Sequence, residues 1–176
     1  MRYYIIGYKN SGKTTFGRKL AECLNMGFID VDEYLEQKEK KSIPELYTAL
    51  GEEKFRHAEW KALKEVSKND NVVVATGGGA PCNCDNMNIM EKTGEVIYLK
   101  VSEATLLNRL SVAAHERPIV KGKNEQQLKE YLNDLRERCE HHYLRAKYTV
   151  DGEKILPEEL ADDLKRQIVG LRFAGR

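Results

Sequence analysis

Near the start of the chain, Gly7-Tyr8-Lys9-Asn10-Ser11-Gly12-Lys13-Thr14 spells a glycine, four free positions and Gly-Lys-Thr, the pattern of a loop that wraps a nucleoside triphosphate. Glycines let the backbone close around the phosphates, so that several amides and a helix N-terminus point at the anion. Lys13 is a mobile point charge able to reach the β- and γ-phosphates, and Thr14 offers a hydroxyl to Mg²⁺. Such a loop needs a strand before it and a helix behind it. Arg2-Tyr3-Tyr4-Ile5-Ile6 reads as a short apolar strand, and Thr14 to Leu24 as a helix with Phe16, Leu20 and Leu24 on one face. A glycine turn without a ligand does not need all of these positions at once. The segment reads as a triphosphate site.

The acceptor of the phosphate must be sought elsewhere, among Asp30, Asp32, Arg56, Gly77 to Gly79, Arg117 and Arg138. Asp30 and Asp32 fall at the end of the short strand Phe28-Ile29-Asp30-Val31. One carboxylate there can order Mg²⁺ or its waters, and another can take a proton from an attacking hydroxyl. Taken alone, the pair reads as a solvated loop or as a cap, with Asp32 capping a helix that begins near Glu33. Three glycines in a row at a strand end ask for more than an ordinary turn: close approach of the backbone to a ligand, or unusual angles. Arg56 and Arg138 both have acidic neighbours, Glu52, Glu53 and Glu59 in the case of Arg56. An ion pair is the plain reading of each. The other is a planar fork gripping the carboxylate of an acidic substrate.

Strand-like and helical runs alternate along the chain. Ser42 opens a helix with a capping box to Glu45 and Pro44 in its first turn. A second helix spans about 52–68, with Phe55, Ala62, Leu63 and Val66 on its buried side. Val72-Val73-Val74-Ala75 is uniformly apolar, as a central parallel strand should be, and runs into Gly77-Gly78-Gly79. A short helix from Asp85 to Lys92, a strand from Glu95 to Val101 and a helix capped by Ser102, with Leu106, Leu107 and Leu110, come next. The segment 111–124 reads as an exposed loop. Leu128, Leu132, Leu135 and Cys139 mark a long helix, Tyr148-Thr149-Val150 a last strand, and Leu160, Leu164, Ile168 and Leu171 a final helix. This order predicts an α/β fold: one domain over 1–176 with a five-stranded parallel sheet, helices on both faces, and ligands at the carboxyl ends of the strands.

Composition bounds the function. The chain has 176 residues, and 29 basic side chains against 28 acidic ones leave no polyanion-binding surface, so no nucleic-acid partner is expected. Charged residues make up 32% and no apolar run reaches membrane length, so no membrane partner is expected either. The first strand begins at once, leaving no room for a signal peptide, and a cytoplasmic location follows. In that compartment Cys23, Cys82, Cys84 and Cys139 are expected as free thiols. Cys82, Cys84 and Cys139 with His141 and His142 have poor spacing for zinc.

Taken in order, these features resemble the shikimate kinase family. The signposts are the phosphate loop, Asp30-Val31-Asp32, Gly51-Glu52 with Phe55-Arg56 and Glu59, Ala75-Thr76-Gly77-Gly78-Gly79, Arg117-Pro118-Ile119, and Arg138 ahead of Ala146. They cover about the first 150 residues. The resemblance implies the kinase fold of nucleoside monophosphate kinases, with a lid at about 111–124, and Mg²⁺-dependent transfer from ATP to the 3-hydroxyl of shikimate on the route to chorismate and aromatic amino acids. It assigns Asn10, Ser11, Gly12, Lys13, Thr14 and Thr15 to the ATP phosphates, Thr14 and Asp30 to the ion, and Asp32 to the substrate hydroxyl as base. Arg56 and Arg138 would clamp the shikimate carboxylate beside Gly77, Gly78 and Gly79. Arg117 would reach the phosphates from the lid, and Arg109 with 152–157 would lie on the adenine side. A monomer is expected from small size and lid motion. Two positions depart from the family: Lys9 in the loop, expected to point to water, and His142, where tyrosine is usual, expected to be a packing substitute. One alternative is a gluconate-type or nucleoside monophosphate kinase, against which Asp32, Arg56, the glycines and Arg138 together weigh; another is a regulatory domain without turnover, against which Asp30 and Asp32 speak.

Overall fold

The computed structural model describes residues 1–113 and 124–174, with side chains described as far as residue 167 except at 113 and 125. Five strands, all parallel, form one sheet in the order β2-β3-β1-β4-β5. They are β1 (Arg2–Ile6), β2 (Gly27–Asp30), β3 (Val72–Ala75), β4 (Glu95–Lys100) and β5 (Tyr148–Asp151). The helices are α1 (Lys13–Leu24), α2 (Val31–Glu39), α3 (Ile43–Val66), α4 (Asn86–Thr93), α5 (Glu103–Ala113), α6 (Glu125–Tyr143) and α7 (Pro157–Ala174), with one 3₁₀ turn at Ala80–Cys82.

β1 is buried along its whole length and serves both faces, because successive side chains point to opposite sides of a strand. Tyr3 and Ile5 join Val73, Ile97 and Leu99 in a core closed by α1 and α7, through Leu20, Ala21, Leu160, Ala161 and Leu164. Tyr4 and Ile6 join Val72, Val74, Val96 and Tyr98 in the larger core, covered by helices α2 to α6. From β1 the chain moves outward to β2, returns to β3, and crosses β1 to reach β4. The path therefore reverses around β1, and a ligand crevice is expected just beyond its carboxyl end.

Several expectations are corrected in detail. β2 ends at Asp30, and Val31 is already helical, because Asp30 rather than Asp32 is the N-cap: its side chain accepts from the amides of Asp32 and Glu33. The helices expected on either side of Gly51 run end to end as α3, broken at Gly51 where φ is 72° and ψ is 167°. That left-handed φ suits glycine, so the junction can change direction without the penalty of a Cβ. Residues 111–113, expected within a loop over 111–124, are helical, since α5 continues to Ala113; residues 114–123 lie outside the described residues. The Ser42–Glu45 capping box is present, and Ser102 accepts from the amide of Thr105. Leu160 and Leu164 are buried as expected, while the side chains of Ile168 and Leu171 lie outside the described residues.

The cysteines depart most. Cys82 and Cys139 form a disulfide, with their Cα atoms 5.3 Å apart, and only Cys23 and Cys84 are free. The expected compartment argues for thiols, but it does not reveal that the fold brings together two positions 57 residues apart.

Candidate active site

The phosphate loop joins the end of β1 to α1. Gly12 is the N-cap of α1 at φ 96°, and no side chain caps the amides of the first turn. Those donors and the positive end of the helix dipole face outward, an arrangement suited to an anion. Lys13 is buried, and its Nζ donates to the Tyr8 carbonyl at 2.8 Å. Burial lowers its ammonium pKa to about 8, while the charges of Asp32 and Asp30 work in the opposite direction. Arg109 reaches over from α5, its Nη1 donating to the carbonyls of Asn10 (3.1 Å) and Ser11 (2.8 Å). A cleft of about 690 Å³ opens beside the loop, lined among others by Gly12, Thr15, Arg109, Gly152 and Pro157. The fold thus places Arg109 and the two ends of the 152–157 segment on the same wall as Asn10, Ser11, Gly12 and Thr15.

Beyond the end of β2, the two aspartates are used differently. Asp30 is occupied at both oxygens: Oδ1 holds the first amides of α2, and Oδ2 accepts from Thr14 Oγ1 at 2.7 Å. An ion that favours oxygen ligands, as Mg²⁺ does, would find a hydroxyl and a carboxylate already side by side. Among the described residues the Asp32 carboxylate has no such partners. Burial raises its carboxyl pKa to about 7, helped by the negative charges of Glu59 and Asp30 and opposed by Lys13 and Lys9. Lys9, expected to point to water, is half-buried, and its charge is felt at both Asp32 and Lys13.

The triple glycine has a separate reason at each position. A Cβ on Gly77 would lie 2.7 Å from Glu59 Oε1 and 2.9 Å from Asp32 Oδ1; one on Gly78 would lie 2.7 Å from the Lys9 nitrogen; one on Gly79 would lie 2.9 Å from Arg56 Nη1. None of the three has a positive φ. Close approach, not unusual backbone angles, requires them. They let two carboxylates, the phosphate loop and a guanidinium meet over one strand end.

Arg56 donates through Nη1 to Glu59 Oε2 at 2.7 Å, one turn along α3. Glu59 is 3% exposed, and burial raises its carboxyl pKa against the pull of Arg56. Arg138 is exposed on α6, and its Nε donates to the Asp134 carbonyl of its own helix at 3.3 Å. Burial pushes the Tyr131 phenol up, and the charges of Arg138 and Arg56 both pull it back. Both guanidiniums therefore lie within electrostatic reach of one ring. Arg117 lies outside the described residues.

Sequence reasoning missed how α6 is held. Tyr8 donates to Glu140, which also accepts from Tyr98 at 3.1 Å, and Tyr143 donates to the Gly78 carbonyl. Tyr143 is fully buried, whereas His142, expected as the packing residue, is half-buried, its ring tilted at 40° to that of His141. The available signal was Tyr8 itself, since an aromatic ring inside a glycine-rich loop must pack on another element.

The comparisons with known proteins agree on one family. The family model described as shikimate kinase matches residues 9–169. A shikimate kinase of Parabacteroides distasonis is 38% identical over 168 residues, covering 96% of this chain and 97% of the relative. The crystal structure of shikimate kinase from Bacteroides thetaiotaomicron superposes with a TM-score of 0.87 at 37% identity, covering 96% of this chain and 98% of the other. That of the Acinetobacter baumannii shikimate kinase, in complex with shikimate, gives 0.83 at 31% identity, covering 96% and 93%. With a phosphate loop, an aspartate pair and a glycine turn gathered at one end of a parallel sheet, and with matches of this length, the chain belongs to the shikimate kinase family.

Proposed function

We propose that the two halves of this site divide the shikimate kinase reaction, transfer of the γ-phosphoryl group of ATP to the 3-hydroxyl of shikimate, between them. On the donor side, the loop amides from Asn10 to Thr15 and Lys13 hold the phosphates, and Arg109 with the cleft at Gly152 and Pro157 takes the adenine side. Thr14 and Asp30 would hold Mg²⁺, which when bound neutralises phosphate charge. On the acceptor side, Arg56 and Arg138 bind the carboxylate and the backbone of Gly77, Gly78 and Gly79 lies against the ring. Asp32 orients the hydroxyl and accepts its proton. Arg117 belongs to the same reading as a phosphate-binding residue within 111–124.

The observation that carries this reading is the convergence of Asp32, Glu59 and the phosphate loop on the glycines beyond β3, with Arg56 beside them. Phosphoryl transfer asks mainly for positioning and charge neutralisation, and the loose transition state needs only a modest base. A carboxyl with a pKa of about 7 meets that requirement near neutral pH. Glu59 holds the Arg56 fork in place through its buried ion pair. The reading takes the chain as one kinase domain, supported by strands from Arg2 to Asp151 joining one sheet. Cytoplasmic location and a monomeric state belong to it too; among the described residues no helix is long and apolar enough to cross a membrane.

A coupled ADP-release assay tests the reading. Turnover that requires both MgATP and shikimate, and is not elicited by gluconate or a nucleoside monophosphate, is expected. Equal ADP release with and without shikimate would overturn it.

A further inference from the structure

The disulfide joins the two sides of the acceptor half. Cys139 follows Arg138 directly on α6, and Cys82 ends the 3₁₀ turn that begins beyond Gly79. Gly79 touches the Arg56 guanidinium, and the thiol of Cys84 donates to the Arg56 carbonyl at 3.9 Å. The bond therefore ties the neighbour of one arginine to the loop packed on the other. Arg138 is exposed, and its only hydrogen bond among the described residues stays within α6. The place of its guanidinium thus follows the place of α6 at that turn.

Helix α6 has other anchors nearby. Glu140 accepts from Tyr8 and Tyr98, Tyr143 donates to Gly78, and Leu128 and Leu132 are buried. Opening the disulfide leaves all of these in place, so the reduced chain keeps its fold while α6 loses its covalent link to the glycine loop. The two residues also differ in exposure: Cys139 is 3% exposed, whereas Cys82 is only partly buried. A reductant can reach one of them. Disulfides in a reducing compartment are characteristically transient or redox-sensing.

We propose that Cys82 and Cys139 form a redox modification site that sets the affinity for the acidic acceptor: oxidised, the pair holds Arg138 opposite Arg56; reduced, it releases that spacing. The proposal rests on the assignment of the two arginines to the acceptor carboxylate. In reduction, a thiolate of a dithiol attacks Cys82 Sγ, the S–S bond breaks, and the electron pair leaves on Cys139 Sγ, which takes up a proton. The second thiolate of the reductant then attacks its own sulfur in the mixed disulfide and releases Cys82, which is protonated in turn. Two electrons and two protons pass to the pair, and the reductant ends as a disulfide. Oxidation runs the same exchange backwards with a low-molecular-weight disulfide.

The test uses the full chain equilibrated with oxidised glutathione or with dithiothreitol, the state of each cysteine being read by alkylation and peptide mass. The KM for shikimate is expected to rise on the order of 3- to 10-fold on reduction as preorganisation is lost, with the KM for ATP unchanged. Tm should fall by about 5–10 °C as the unfolded chain regains the freedom of the opened loop. Cys82→Ser and Cys139→Ala should match the reduced protein in either buffer, and Cys84→Ser should keep the response. A lower Tm with an unchanged shikimate KM would make the bond a structural staple and overturn the proposal. Failure of the bond to form under oxidised glutathione, or a change confined to kcat, would overturn it as well. Arg138→Ala separates the two levels: if it leaves the shikimate KM unaltered, the assignment of the arginines fails; if it raises that KM while redox state has no effect, the switch alone fails.

Discussion

The donor and acceptor halves proposed for the site are built on different principles. The donor half is local. Gly7 to Thr14 is one run of chain, and its amides, its lysine and its hydroxyl are positioned by the turn between β1 and α1. The acceptor half is assembled from distant segments: Asp32 from the start of α2, Arg56 and Glu59 from α3, three glycines beyond β3, and Arg138 from α6. A local site depends on backbone conformation, whereas an assembled one depends on what holds its pieces together. Here those links are the Arg56–Glu59 pair, the Tyr143 and Glu140 hydrogen bonds and the Cys82–Cys139 bond.

Substitutions that separate function from assembly sharpen this contrast. The largest effect is expected for Lys13→Ala, which should lower kcat by about 10³-fold or more, as for other preorganised charges on a transferring phosphoryl group. Its Tm should change little; steady-state kinetics showing near-normal turnover would sink the donor assignment. Asp32→Asn should lower kcat by about 10²- to 10⁴-fold and yet stabilise the fold. The sign follows from the raised carboxyl pKa of about 7. Between the ordinary value near 4 and that value, the folded state keeps a proton that the unfolded chain has released, so stability falls as pH rises through this window. The neutral amide avoids the loss. Melting curves should show the variant more stable above pH 7 and level with the parent near pH 4.

Next come the two arginines, which the contrast sets apart from each other. Arg138→Ala should raise the shikimate KM by about 10- to 100-fold, the worth of a charge-assisted contact, and leave Tm alone because the side chain is exposed. Arg56→Ala should add a loss of stability, since Glu59 would be left buried without its partner. Equal melting temperatures for the two variants would contradict that distinction. The pH dependence is a gentler probe: kcat/KM for shikimate should rise through about pH 7 as Asp32 ionises in the free enzyme. A profile flat from pH 6 to 8 would remove Asp32 from the role of base. The smallest effect is expected for Gly51→Ala, about 1–3 kcal/mol. A Cβ there meets nothing within 4 Å, so only the left-handed φ of 72° is penalised; a loss several times larger in chemical denaturation would point to a packing role.

The expectations divide along the same line as the two halves. The phosphate loop, the strands, the Ser42–Glu45 capping box and the buried faces of α3 and α6 depend on spacing within a few residues, and they were legible in the amino-acid order. The shikimate kinase resemblance was legible too, because its motifs keep their order along the chain. Finer assignments needed contacts. Which aspartate caps α2 turns on one side-chain oxygen, and why Gly78 must be a glycine turns on how closely it approaches the Lys9 backbone.

By itself, the order of residues determined the type of sheet, the location of the triphosphate loop and the family, since periodicity and local turn chemistry act over short stretches of chain. Tertiary structure alone decided that three glycines serve three different neighbours, that Asp32 is hemmed in by other charges while Asp30 is bound at both oxygens, and that Cys82 meets Cys139. Each of these depends on which segments the sheet order β2-β3-β1-β4-β5 brings side by side, and no local stretch of sequence encodes that distance.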